Sequence, residues 1–480
     1  MSAATASRSA ANGSAMTHDA IVIGAGSAGL TAAGGLAMFG LRVALVEAGD
    51  MGGECLNTGC VPSKALIAAA ARAHAARRPA LGVTLAATVD WAGVRAHIDQ
   101  AIATIEPHDS QKRFEAMGVE VIRQSARFRD PHTLVAGERV LRAPRIVIAT
   151  GSQPAIPPID GLAQPPHLTN ETLFTLDRLP GHLVVLGGGA AGCEMAQAFA
   201  RLGAKVTVIE PEAALAREDA EAAALALDGL RGEGVDLRIG AKTVRVGSSD
   251  TGVSITLDDG AVIEGSHVLV ATGRRANIDS LDLDAAGVRH GADGIVVDER
   301  RRTSQAHIYA IGDCRTGPRL THVAGYEGSL VVLQIALGLP GKVDWRALPR
   351  VIYTDPEIAQ IGLTEAEARA QSGPVQVTRE DFAHNDRAVT EGDTRGFIKV
   401  IRRGAKVLGV TIVGAHAGEL LLPWSQIMTG KASTFALGSA VVAYPSRSEI
   451  AKAAAFAAWE PRVFGVWPKR WARLLARLRR

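Results

Sequence analysis

The chain is poor in sulfur: its 480 residues hold four cysteines, Cys55, Cys60, Cys193 and Cys314. With no export signal, so few thiols indicate a reducing compartment, and a cytoplasmic location is expected; a disulfide there is catalytic rather than structural. Zinc is not expected, because the Cys-x4-Cys of Cys55 and Cys60 has no second pair and the other thiols are solitary. Long apolar runs are missing too, and nothing approaches the roughly 18 residues of a membrane span. A net charge of only +3 offers no reason to expect nucleic acid. The first 15 residues, MSAATASRSAANGSA, carry one arginine and no apolar core. They fit neither a signal peptide nor a good transit peptide, so a disordered leader over 1–15 is expected, with Met16 as the functional start.

What the chain does have is a duplication. Residues 21–48, IVIGAGSAGLTAAGGLAMFGLRVALVEA, align without gaps on 184–211, VVLGGGAAGCEMAQAFARLGAKVTVIEP, with ten of 28 positions identical. Each copy is a β-branched run, a glycine turn, a small-residue helix and a second strand ending in glutamate. The turns are G-x-G-x-x-G, at Gly24, Gly26 and Gly29 and again at Gly187, Gly189 and Gly192. The first glycine makes the tight turn, the second lets backbone N–H groups approach a pyrophosphate, and the third lets helix and strand pack closely. Glu47 and Glu210 each fall 18 residues after the third glycine, where a ribose hydroxyl would be met. A single such turn is weak evidence; two in register, each with strand, helix and acid, imply two dinucleotides.

The first unit runs directly into GGECLNTGCVPSK, residues 52–64. This order resembles the disulfide-containing flavoproteins, the family of glutathione reductase, dihydrolipoamide dehydrogenase and mercuric reductase, over nearly the whole chain. Further landmarks follow in the family's order: IVIATGSQP (146–154), VLVATGRRAN (268–277), IYAIGDC (308–314), VIYTDPEIAQIGLTEAEA (351–368) and AYPSRSE (443–449). The resemblance implies an α/β fold with two Rossmann-like dinucleotide-binding domains, for FAD and NAD(P), plus a C-terminal α+β dimerisation domain. The expected boundaries are 16–155 and 276–345 for the FAD domain, 156–275 for the nicotinamide domain and 346–465 for dimerisation. FAD contacts are implied at Gly24, Gly26, Gly29, Glu47, Lys64, Ala126, Thr150, Gly151, Asp313 and Thr321. Nicotinamide-nucleotide contacts are implied at Gly187, Gly189, Gly192, Glu210, Gly273 and Arg274. An acid at Glu210 accepts a ribose 2′-OH and repels a 2′-phosphate, which favours NADH, although Arg217 is close in sequence.

With zinc and a structural disulfide set aside, the chemistry left for the two thiols is dithiol–disulfide exchange beside a flavin. The resemblance implies that Cys60 lies against the isoalloxazine and that Cys55 is exposed to attack the acceptor. A helix starting near Pro62 would favour the Cys60 thiolate through its dipole. The family match also places Lys64 near the flavin N5 region, held by Glu194 in a partly buried ion pair. Cys193 and Cys314 are expected to be structural.

The thiol reductases end in a His-x-His-Pro-Thr-x-Ser-Glu motif whose second histidine shuttles protons. Here VAYPSRSE (442–449) puts Tyr444 in that place and keeps Glu449 as the orienting acid. A phenol, with an ordinary pKa of about 10 against about 6.5 for imidazole, is a poor base for a dithiol. Mercuric reductases also carry tyrosine here, and GDC and FAHNDRA (382–388) look like that branch. The vicinal cysteine pair and N-terminal metal-binding module of those enzymes are not seen. The expected protein is therefore a homodimer passing electrons from NAD(P)H through FAD and Cys60/Cys55 to a small-molecule disulfide or a thiol-bound metal ion. The alternatives are a dihydrolipoamide dehydrogenase and a flavoprotein feeding quinone or oxygen directly.

VWPKRWARLLARLRR, 466–480, lies beyond the resemblance. Trp467, Trp471, Leu474, Leu475 and Leu478 share one helical face and six basic residues surround them. Two readings stand: a helix docked on its own domain or dimer partner, or peripheral contact with an anionic membrane surface.

Overall fold

A computed structural model describes residues 16–78, 80–86, 88–163, 167–250 and 252–479. The leader expected over 1–15 lies outside the described residues.

Two five-stranded parallel sheets carry the duplicated units. In the first the order is Ile308–Ala310, Ile146–Ile148, Ala20–Ile23, Val43–Val46, Glu120–Ile122. In the second it is Asp236–Ile239, Lys205–Glu210, His182–Leu186, His267–Val270, His167–Leu168. The strands AIVI and VALV are buried at every position, which explains their unbroken apolar runs: a parallel sheet is covered on both faces. The chain leaves the first sheet after Ile148, forms the second, and returns at Ile308 beside Ile146. A third, antiparallel sheet runs Pro349–Ile352, Glu357–Gly362, Lys406–Gly414, Phe397–Arg403, Gln376–Asp381, and helices carrying Trp424 and Ile450 close its core.

Both glycine turns are sterically obligatory. A Cβ on Gly24 (φ +104°) would lie 2.3 Å from the Ala149 carbonyl oxygen, and one on Gly29 would overlap the Gly24 carbonyl. The second unit repeats this, with Gly187 (φ +109°) against Ala271 and Gly192 against Gly187. The helix Ser27–Met38 then packs against Thr321–Leu337 through small residues, Gly328 meeting Ala28 and Thr31.

A buried ionic knot fixes the turn after Ile308–Ala310. The Glu327 carboxylate accepts from Gly312 N–H at 2.8 Å and from Arg315 Nε at 2.9 Å, and Arg301 lies at 3.1 Å. Cys314 is fully buried beneath it, its thiol donating to the Ile148 and Ile311 carbonyls. Burial pushes that thiol up to about 12, so it is inert at neutral pH. This holds Asp313 at the mouth of the first sheet.

Candidate active site

The two dinucleotide cradles are built alike. Helices Ser27–Met38 and Ala190–Leu202 begin at Gly26 and Gly189, neither with a side-chain cap, so their first N–H groups are open to an anion. The acids close each turn from below. Glu47 accepts from Ala25 N–H at 2.5 Å and Gly49 N–H at 2.6 Å; Glu210 accepts from Gly188 N–H at 2.7 Å and Glu212 N–H at 3.0 Å. Each carboxylate is thus fixed by two amides while keeping lone pairs for ribose hydroxyls. A Cβ on Gly189 would meet nothing within 4 Å, and one on Gly26 only Gly53 at 3.9 Å, so both cradles have room where a pyrophosphate needs backbone approach. The residues present fit a dinucleotide at each turn.

Around the first cradle, Thr150 donates its hydroxyl to the Asn277 carbonyl at 2.6 Å, and Gly151 sits at φ +71° in open space. Ala126 is buried at the start of the strand Ala126–Asp130, so only its backbone can face a ligand. Asp313 accepts from Ser152 Oγ at 2.9 Å. Gly273, at φ +137°, is open.

Arg274, an expected nicotinamide-nucleotide contact, lies beside the thiol loop. It lies on the strand Arg274–Ala276, paired antiparallel with Ser152–Pro154. Its guanidinium donates to Ser152 Oγ at 2.8 Å, pairs closely with Glu54, and stands 4.0 Å from Asp313. In this arrangement it joins the polar cluster beside the cysteines. Glu54 also accepts from Asn170 Nδ2 at 3.0 Å, and the same amide reaches the Thr58 carbonyl at 3.1 Å, bracing the loop between the thiols. Burial outweighs the guanidinium and pushes the Glu54 carboxyl up to about 7.

The thiols sit on two consecutive helices, Cys55 on Gly53–Asn57 and Cys60 as the first residue of Cys60–Arg77. Both are free. The Cys55 thiol donates to Cys60, and that bond, with burial, holds Cys55 well above the usual thiol range. Accepting it, together with the Thr321 hydroxyl at 3.1 Å and the charge of Lys64, brings Cys60 down to about 6 against a partial desolvation cost. One negative charge is shared by the pair and resides on Cys60, at the N-terminus of an 18-residue helix. Cys60 is exposed and Cys55 half-buried. The short helix turns the Cys55 thiol toward Ser27 and Thr321, while Cys60 stands at a free helix end.

Lys64, one turn further along, donates to Glu194 Oε2 at 2.8 Å. Glu194 is 6% exposed and its other oxygen accepts from Tyr353 N–H at 3.0 Å. The Lys64 ammonium also lies over the Tyr353 ring, 4.5 Å from its centroid. Cys193, next to Glu194, fills a core space and donates to the Gly188 carbonyl.

Tyr444 is 71% exposed on the third-sheet domain. Its hydroxyl donates to Asp386 Oδ2 at 2.9 Å, and that bond raises its pKa above the ordinary phenol value. Glu449, expected to orient it, instead accepts from Ser446 N–H at 3.3 Å and starts the helix Glu449–Ala457. Sequence reasoning missed Glu54, Asn170, Tyr353 and Asp386. All but Asn170 lie inside motifs that were recognisable, in GGECLN, VIYTDPE and FAHNDRA.

The pyridine nucleotide-disulphide oxidoreductase family matches residues 18–328, and the dimerisation domain of the same family matches 348–455. The chain is 35% identical over 454 residues to a mercuric reductase of Streptomyces lividans, covering 91% of this chain and 95% of that one. It is 35% identical over 459 residues to dihydrolipoyl dehydrogenase 3 of Haloarcula marismortui, covering 90% and 94%. Among solved structures, the Cu(II) complex of the HOCl-induced flavoprotein disulfide reductase RclA from Escherichia coli superposes with a TM-score of 0.82 at 29% identity. That match covers 90% of this chain and 98% of that one.

Proposed function

From the premise that the chain belongs to the pyridine nucleotide-disulphide oxidoreductases and is an FAD-dependent disulfide oxidoreductase, we propose that it moves electrons from NADH to a metal ion held by thiolates. Bound FAD supplies the relay between the nicotinamide and the disulfide. The net first half-reaction balances without an outside acid. A hydride equivalent from NADH breaks the Cys55–Cys60 bond, two electrons and one proton arrive, and the products are NAD⁺, a Cys60 thiolate and a Cys55 thiol. The coupled pair is suited to that product, since it keeps one proton on Cys55 and one charge on Cys60. Lys64, steadied by Glu194 and Tyr353, would balance negative charge beside the relay. Glu47 and Glu210 would orient the two dinucleotides, Glu210 with a preference for NADH.

The observation that carries the choice of acceptor is Tyr444. Reducing a small disulfide requires a proton for each departing thiolate, and a phenol whose pKa is raised by Asp386 gives that proton up reluctantly. A divalent metal ion needs none: it displaces the Cys55 proton to solvent on binding both sulfurs, and electrons from a second NADH reduce it, two for mercuric ion and one for cupric ion. The mercuric reductase similarity and the Cu(II) complex of the RclA neighbour agree with a metal acceptor. The dimerisation domain points to a homodimer, in which Tyr444 would face the thiols of the other subunit. Dihydrolipoamide remains the second reading because of the Haloarcula relative.

Steady-state turnover with NADH against mercuric ion, cupric ion, lipoamide and a quinone tests this. Tyr444→Phe should leave flavin bleaching by NADH intact, and Tyr444→His should raise lipoamide reduction by about tenfold or more. Fast lipoamide turnover by the wild type, with no metal-ion activity, would overturn the assignment.

A further inference from the structure

The helix Val466–Leu478 has no role in the chemistry above, and none of its residues is buried, Leu475 being half-exposed and the rest exposed. Trp467 is 77% exposed, Trp471 61% and Leu478 72%. The helix is therefore not docked on its own domain, one half of the first expectation for this segment, the other half being a dimer partner. At about 100° per residue, Trp467, Trp471, Leu474, Leu475 and Leu478 occupy an arc of roughly 100°. Lys469, Arg470, Arg473, Arg477 and Arg479 all project from the rest of the circumference, and the helix contains no acid. Two indoles exposed to water are an unfavourable end state unless something apolar covers them.

From this arrangement we infer that the helix Val466–Leu478 docks the enzyme on an anionic lipid surface, its tryptophan–leucine stripe entering the interface and its arginines meeting the headgroups. A helix of 13 residues is about 20 Å long, too short to cross a bilayer but of the right kind to lie in its surface. Indole rings prefer the headgroup level, where the apolar body is covered and the N–H stays hydrated. A second copy of the chain is the weaker occupant. Symmetric pairing of two such stripes would set Arg470 and Arg477 against the arginines of the other helix with no carboxylate to answer them. Phosphate-bearing lipid answers every one of those charges.

The test uses the FAD-loaded full chain and sedimentation with vesicles of phosphatidylcholine, with or without about 30% phosphatidylserine. Binding should require the anionic lipid and collapse between about 0.05 and about 0.5 M salt, as screened electrostatics dictate. Each basic residue near such a surface is worth about fivefold, so Arg473→Gln with Arg477→Gln should weaken binding about 25-fold. Trp467→Ser with Trp471→Ser should abolish it. Flavin reduction by NADH in solution should be unchanged in both double variants, which separates this inference from the redox assignment. No binding to anionic vesicles would overturn it, as would a shift to smaller species in the tryptophan variant without any change in lipid binding, the mark of a helix that pairs with a second copy.

Discussion

Cys55→Ser leaves Cys60 as a lone thiol whose titration reads out the site. The serine hydroxyl can still donate to the Cys60 sulfur, so the three supports seen in the structure remain: the neighbour at position 55, the Thr321 hydroxyl and the Lys64 charge. Moving a thiol from 9.0 down to about 6 means that these supports favour the thiolate over the thiol. Because the pKa is lowered, the thiolate should persist at neutral pH and be lost only as pH falls through about 6. Cys55→Ala removes the largest contribution. Thr321→Val, in the Cys55→Ser background, removes a hydrogen bond to a charged acceptor, worth about 1.5–3 kcal/mol. Each should raise the midpoint by about one to two units. The long-wavelength thiolate-to-flavin charge-transfer band of the holoenzyme, followed against pH, gives the midpoint. A midpoint near the ordinary thiol value in Cys55→Ser, or one indifferent to Thr321→Val, would refute the assignment of the charge to Cys60.

Glu210 carries the nucleotide preference: adding a phosphate beside a carboxylate already fixed by Gly188 and Glu212 amides should cost roughly 1.5–3 kcal/mol. kcat/KM should accordingly be about ten- to a hundredfold higher for NADH than for NADPH, and equal efficiencies would point to the exposed Arg217 instead. Glu194→Gln keeps an acceptor for Tyr353 N–H but leaves Lys64 without its counter-charge. With the lysine side chain 38% exposed, solvent softens the loss to about 1–3 kcal/mol in urea unfolding of the holoenzyme. The double variant with Lys64→Met should lose less than the sum of the two single variants, and strict additivity would show that the pair is not coupled.

The two βαβ units were legible because their glycines answer to sterics within one turn: Gly29 must clear the Gly24 carbonyl, and no other residue can. The Cys-x4-Cys pair was legible for a different reason, since its thiols have few other uses in a sulfur-poor chain. What escaped depends on contacts made across the fold. Asn170 braces the thiol loop from 116 residues away from Glu54, and Tyr353 meets Glu194 across 159 residues. No local period or spacing encodes such pairs. Arg274 was read as a nucleotide contact because its motif is local, and the pair it makes with Glu54 spans 220 residues. Tyr444 shows the same limit: the motif pointed to Glu449 as its partner, and a chain reversal brings Asp386 instead. The exposure of the last described helix could not be read at all, since amphipathicity specifies a stripe and not what covers it.

The central claim is that Cys55 and Cys60 store electrons delivered through the flavin, and counting those electrons tests it most directly. Anaerobic dithionite titration of the FAD-loaded protein should consume about four electrons per flavin in the wild type, two for the flavin and two for the disulfide couple. Cys55→Ser should consume about two. NADH should reach the first two-electron stage and develop the thiolate-to-flavin band there. A wild type that takes up only about two electrons, indistinguishable from Cys55→Ser, would contradict the account.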